Sequence, residues 1–112
     1  MSQLAVTFDA LAIDHAGAPV RLQKKTIASL NDDELLVRVD YASINKMDPA
    51  LAQRNVFQLP EPYVLGFDFS GEVVRIGAAG DGAFAVGDRV FGRSESGGCF
   101  AEMVVARAAT TL

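Results

Sequence analysis

The sequence predicts a mainly β domain, a closed or partly closed β-barrel with one or two short helices. Three observations predict it. Six or seven short strand-like runs recur along the chain, turns built on Gly, Pro and Asp separate them, and a single stretch carries helix signals. Closure is the way a small all-β domain avoids unpaired strand edges. A doubly wound α/β fold lacks the helices it would need.

Residues 5–14 and 20–27 read as two strands of a hairpin, joined by His15-Ala16-Gly17-Ala18-Pro19. After an acidic turn at 29–34, Leu35, Val37, Val39 and Tyr41 alternate with Leu36, Arg38, Asp40 and Ala42, which places one apolar row on one face of a strand ending at Asn45. Asp48-Pro49 then opens a short helix over 50–54: Asp accepts a hydrogen bond from the first turn, and Pro tolerates the first helical position. Asn55 stops it. Residues 56–62 hold two prolines and no clean period, as in a surface loop or lid edge. The stretch 62–92 is the organising corner, in which strands 69–76 and 89–91 flank a glycine-rich turn at 77–82 and a tight turn at Gly87-Asp88. A last strand, 100–106, follows Gly97-Gly98. There is no internal repeat, linker or low-complexity run.

A chain of 112 residues, half of them hydrophobic, is one domain with enough apolar side chains for a core. Fourteen acids against ten bases leave a net charge of −4 with no long basic run, which argues against nucleic acid as a partner. No uncharged stretch approaches the roughly 20 apolar residues of a membrane helix, so a membrane partner is not expected. The N-terminal residues have no basic region and include Asp9, unlike a secretory signal; a cytoplasmic protein is expected. Cys99 stands alone, with no second thiol or nearby His to activate it, and reads as a small buried side chain. His15, the only histidine, lies in a turn away from acids, thiols and hydroxyls, which leaves a catalytic triad or a zinc site nothing to build on. The 77–82 turn leads into Phe84, Val86 and another strand, not into a helix whose N-terminus could hold a phosphate.

Taken together, LLVRVDYASINKMD at 35–48, PYVLGFDFSGEVVRIGAAGDGAFAVGDRVFG at 62–92 and GGCFAEMVVA at 97–106 resemble the N-terminal, GroES-like domain of medium-chain dehydrogenases/reductases. The resemblance is to the zinc-independent, quinone-oxidoreductase-like branch. It implies a GroES-like barrel over 1–112, the substrate-side domain of a longer enzyme whose Rossmann domain, with its Gly-x-Gly-x-x-Gly turn, is absent from these residues. It also implies an NADPH-dependent reduction of a quinone, enone or similar acceptor by hydride transfer, with the isolated chain inactive. The other reading is a free-standing GroES-like binding or assembly module without catalysis. An unfinished barrel exposes apolar surface and a strand edge, so self-association or a homodimer is expected beside the small-molecule acceptor.

Residue by residue, the resemblance sets Asn45 where zinc-dependent members have a cysteine ligand, Met47 where they place a proton-relay hydroxyl, and Gly66-Phe67-Asp68 at their Gly-His-Glu motif. The four-cysteine zinc loop is missing as well, which implies no metal. Asn45 is implied as a catalytic and cofactor-binding residue at the cleft where nicotinamide and acceptor meet, since an amide both donates and accepts without a charge. Its local alternative is to end a strand by bonding nearby backbone. Asp48 is a second catalytic candidate, or else the helix cap. Lys46 is a cofactor-binding candidate, or else solvated surface. Tyr63 and Phe67 would wall the acceptor pocket, with core packing the alternative for Phe67, Phe69 and Phe84. Related enoyl reductases carry a proton-donating tyrosine shortly after the matching Asp, where this chain has Val56 and Phe57. That disfavours enoyl-thioester reduction through such a tyrosine and leaves quinone or enone reduction open.

Overall fold

The computed structural model describes residues 6–78, 82–94 and 96–112. Seven strands, one α-helix and one 3-10 turn make up the described fold: β1 (Val6–Ile13), β2 (Arg21–Ile27), β3 (Glu34–Tyr41), α1 (Met47–Arg54), β4 (Tyr63–Val64), β5 (Asp68–Ile76), β6 (Arg89–Arg93), β7 (Met103–Arg107) and a 3-10 turn at Ala108–Thr110. They form a three-stranded sheet, β2-β1-β4, and a four-stranded sheet, β6-β5-β3-β7. Every strand pairing is antiparallel, so the described residues contain no parallel dinucleotide-binding sheet.

The predicted hairpin forms, with Val6 opposite Ile27 and Ala12 opposite Arg21. His15 lies exposed in its turn. The two sheets are stitched into a partly closed barrel by the residues before β7. Cys99 N–H donates to Gly66 O at 3.2 Å, Phe100 N–H to Leu65 O at 2.9 Å, and Glu102 N–H to Asp9 O at 3.0 Å. Because these backbone groups bond across the seam, β7 starts at Met103 and not at residue 100 as the apolar run suggests. The two-residue strand β4 is too short to leave a periodic signal.

Two further expectations are corrected. On β3 the expected apolar row forms from Leu35 through Val37 to Val39, all packed on one core centre, but it stops short of Tyr41, which is 75% exposed, and Leu36 between them is buried too. The pairing with β5 shifts register between Leu36 and Val37 and again between Val39 and Tyr41, and the row ends at the second of these irregularities. Helix α1 begins at Met47, earlier than predicted, with Lys46 at its N-cap and no side-chain cap. Asp48 therefore lies inside the first turn and reaches backward, as described below. Asn55 ends the helix as expected, in the left-handed conformation (φ 47°), and its amide exchanges two 2.9 Å hydrogen bonds with the Leu59 backbone.

The core has two centres. Leu35, Val37, Phe69, Val73 and Cys99 pack together on the four-stranded sheet, with Phe84 partly buried against them. Ile13, Leu51, Tyr63 and Leu65 form the second, with Phe67 and Phe100 against it. The Tyr63 hydroxyl donates to Leu51 O at 2.6 Å and so anchors the helix to the second centre. The glycine-rich turn keeps Gly77 N–H on Glu34 O at 2.8 Å, while residues 79–81 of that turn lie outside the described residues. No helix among the described residues is long and apolar enough to cross a membrane.

Cys99 is fully buried, and burial, reinforced by Asp68 and Asp48, pushes its thiol up to about 12. At pH 8 the native protein is expected to resist a thiol reagent such as DTNB, whereas denaturant-unfolded chains react completely. Stoichiometric labelling of the folded protein within minutes would contradict this burial.

Candidate active-site corner

Two loops meet at one corner of the barrel: residues 42–46 between β3 and α1, and residues 65–67 between β4 and β5. A buried carboxylate holds them in register. Asp48, 4% exposed, accepts from Asn45 N–H through Oδ2 at 2.7 Å and from Gly66 N–H through Oδ1 at 3.2 Å. Gly66 has φ +98°, and a Cβ there would stand 2.6 Å from Phe100 Cδ1 and 2.7 Å from Phe100 N, so only glycine satisfies both conformation and space.

Asp68, the first residue of β5, completes the corner. Its Oδ1 accepts from Ser43 N–H at 2.8 Å, and its Oδ2 accepts from Ser43 Oγ at 2.6 Å and from Asn45 Nδ2 at 3.1 Å. Hydrogen bonding from the Ser43 hydroxyl, opposed by partial burial and aided by the Ser43 N–H and the Asn45 amide, holds the carboxyl below its ordinary 3.8. It is ionised at neutral pH. Beside it runs an open groove of about 360 Å³, bordered by Ser43, Asp68 and Ser70 and flanked by the exposed rings of Tyr41 and Phe91.

The structure brings Asn45 and Asp48 together directly and places Lys46 next to them, exposed and without an ion pair among the described residues. Phe67 is half-buried in the second core centre, edge-to-face with Phe57 at 5.6 Å between ring centroids. Tyr63 is 4% exposed and belongs to the core, not to the groove beside Asp68. Asp48 contacts backbone through both oxygens and acts as a brace; the forward-facing helix cap that its position before Pro49 suggests is not formed.

Sequence reasoning missed Ser43 and Asp68 as partners. The only available signal was their place in the motifs, Ser43 two residues before Asn45 and Asp68 at the third position of Gly66-Phe67-Asp68. For a metal, the corner offers an amide, a hydroxyl and carboxylates already bonded elsewhere. Among the described residues no group of three or more His, Cys, Asp or Glu could hold an ion.

Residues 31–112 match the family model of the alcohol dehydrogenase GroES-like domain. The chain belongs to this family, within the medium-chain dehydrogenase/reductase superfamily. A trans-enoyl reductase of Aspergillus flavipes is 41% identical over 95 residues, covering 76% of this chain and 25% of the relative. The solved quinone oxidoreductase of Coxiella burnetii superposes with a TM-score of 0.85 at 27% identity, over 96% of this chain and 37% of that one. A mycobacterial protein solved with NADPH superposes with a TM-score of 0.79 at 28% identity, over 93% of this chain and 33% of that one. The GroES-like domain thus spans a quarter to little more than a third of the length of these relatives.

If Asp48 is the brace of the corner, Asp48→Ala leaves two backbone N–H groups without their acceptor, one of them buried. The expected loss is about 2–3 kcal/mol of unfolding free energy, measured by urea denaturation. A loss below about 0.5 kcal/mol would show that water replaces the carboxylate without cost.

Proposed function

We propose that this domain is the substrate-side wall of a zinc-independent, NAD(P)H-dependent oxidoreductase that reduces an acceptor whose carbonyl is conjugated to a C=C bond, a quinone or enone. The observation that carries the reading is the donor set of the corner, in which both carboxylates are already held by the loops around them. By the family resemblance, Asn45 stands where zinc-dependent members have a ligand cysteine and Phe67 where they have a ligand histidine, and the two carboxylates nearby, Asp48 and Asp68, are satisfied internally by Asn45, Gly66 and Ser43. This donor set does not fit zinc, and no step is routed through a metal.

The residues fit the nicotinamide end of a dinucleotide through the exposed Asn45 amide. They offer no glycine-rich strand-to-helix turn for its pyrophosphate, so a nucleotide-binding domain has to hold the rest. NADPH supplies a hydride when bound. Asn45 would hold the nicotinamide end of that cofactor beside a conjugated acceptor, with water or the cofactor-side domain as the source of the balancing proton. Asn45 orients the reacting partners, Asp48 fixes the Asn45 backbone, and Phe67 with Phe57 gives the neighbouring surface an aromatic, apolar character. Lys46, exposed one residue away, supplies positive charge for a phosphate.

The trans-enoyl reductase relative favours a second acceptor within the same chemistry, since an enoyl thioester is also a C=C conjugated to a carbonyl. Val56 and Phe57 offer no phenolic proton donor at that place, so the proton for this acceptor too comes from water or the cofactor-side domain.

The test replaces the GroES-like domain of the Coxiella burnetii quinone oxidoreductase with residues 1–112 and follows NADPH oxidation with a quinone, an enone and an enoyl thioester. Turnover of at least one acceptor is expected, with kcat/KM reduced about 10-fold or more by Asn45→Ala, equivalent to ~1.4 kcal/mol of transition-state stabilisation. A chimaera that binds NADPH yet reduces none of the three, or one indifferent to Asn45→Ala, would defeat the proposal.

A further inference from the structure

We infer that Asp68, together with Ser43, is a positioning residue that holds the Asn45 carboxamide with its N–H2 turned inward and its oxygen outward, so that the corner receives a hydrogen-bond donor. The two ends of an amide have nearly the same shape, and only their partners decide which faces where. Both neighbours of the Asn45 amide are acceptors: Asp68 Oδ2 at 3.1 Å from Nδ2, and the Ser43 carbonyl oxygen at 3.5 Å. Turning the amide over would set its oxygen against an ionised carboxylate with no proton between them. The carboxylate cannot swing aside to relieve this, because Ser43 holds one of its oxygens by N–H at 2.8 Å and the other by O–H at 2.6 Å.

Asn45 is exposed, and no hydrogen bond reaches its Oδ1 among the described residues. That oxygen can only accept. A quinone or enone oxygen also only accepts and finds no partner there. The matching groups are the carboxamide N–H2 of a nicotinamide ring or a hydroxyl of its ribose, so Asn45 holds the cofactor and not the acceptor. The identity of this partner rests on the oxidoreductase reading above; the orientation of the amide does not.

The orientation is tested on the 112-residue chain itself by NMR of 15N-labelled protein. The Asn45 side-chain N–H2 is expected to exchange with water at least about 10-fold more slowly than that of Asn31, whose side chain has no partner among the described residues. Asp68→Ala should abolish the difference and Ser43→Ala should reduce it, the second variant serving if the first does not fold. An Asn45 amide as labile as Asn31 in the wild-type chain, or one unchanged by both substitutions, overturns the proposal whether or not the chimaera is active.

The partner is tested in the same chimaera with NADPH and its reduced 3-acetylpyridine analogue, which lacks the amide N–H2. A KM at least about 10-fold higher for the analogue, with the difference lost in Asn45→Leu, identifies the carboxamide. Equal KM values, both raised by Asn45→Leu, identify a ribose hydroxyl. If Asn45→Leu raises the KM for the acceptor and leaves that for NADPH unchanged, the assignment to the cofactor is wrong.

Discussion

The candidate site depends on the backbone of Gly66. Its N–H goes to the Asp48 carboxylate at the start of α1, and its carbonyl takes the Cys99 N–H from the seam that joins the two sheets. One residue thus ties helix, seam and the entry to β5. A positive φ and the Phe100 ring against the missing side chain make the position intolerant of any other residue. The consequence is functional: Asn45 hangs from one end of this knot through Asp48, Asp68 follows two residues after the other, and the two meet at 3.1 Å.

Charge at the corner is contained. Two carboxylates stand within a few residues of the seam, yet each is held by donors from the loops themselves, so neither is left free to bind a cation. The same pair acts on the one thiol nearby, since burial first and the negative charges of Asp68 and Asp48 next keep Cys99 protonated. What faces solvent is the neutral Asn45 amide and the Lys46 ammonium, near a groove edged by Tyr41 and Phe91. On the function proposed above, the aromatic edges would take a flat ring system. The exposed ion pairs elsewhere, such as Arg21 with Asp14 and Lys24 with Asp9, decorate the hairpin and contribute little to stability.

Much of the barrel was legible in the sequence because strand periodicity and turn chemistry are local. The β1–β2 hairpin, the bounds of β5 and the stop at Asn55 all follow from side chains within a few positions. The failures share one cause, which is pairing over long distances. A register shift against β5 marks where the inward row of β3 ends before Tyr41, bonds to Leu65, Gly66 and Asp9 delay β7, and Asn45 and Gly66 draw Asp48 away from the capping role its position before Pro49 suggests. Asn45 could be singled out only through family resemblance, since nothing in its neighbourhood marks an isolated Asn as functional. Ser43 and Asp68 stand 25 residues apart, and only the folded corner reveals that they act on the same amide.

On the proposed function this corner presents Asn45 to a nicotinamide. A crystal structure of the domain joined to a nucleotide-binding domain, with NADP bound, decides it. Asn45 Oδ1 is expected at about 3 Å from an N–H or O–H donor of the nicotinamide nucleoside, with Nδ2 still on Asp68. A nicotinamide seated out of reach of Asn45, or an Asn45 amide turned to donate to it, would overturn this role for Asn45.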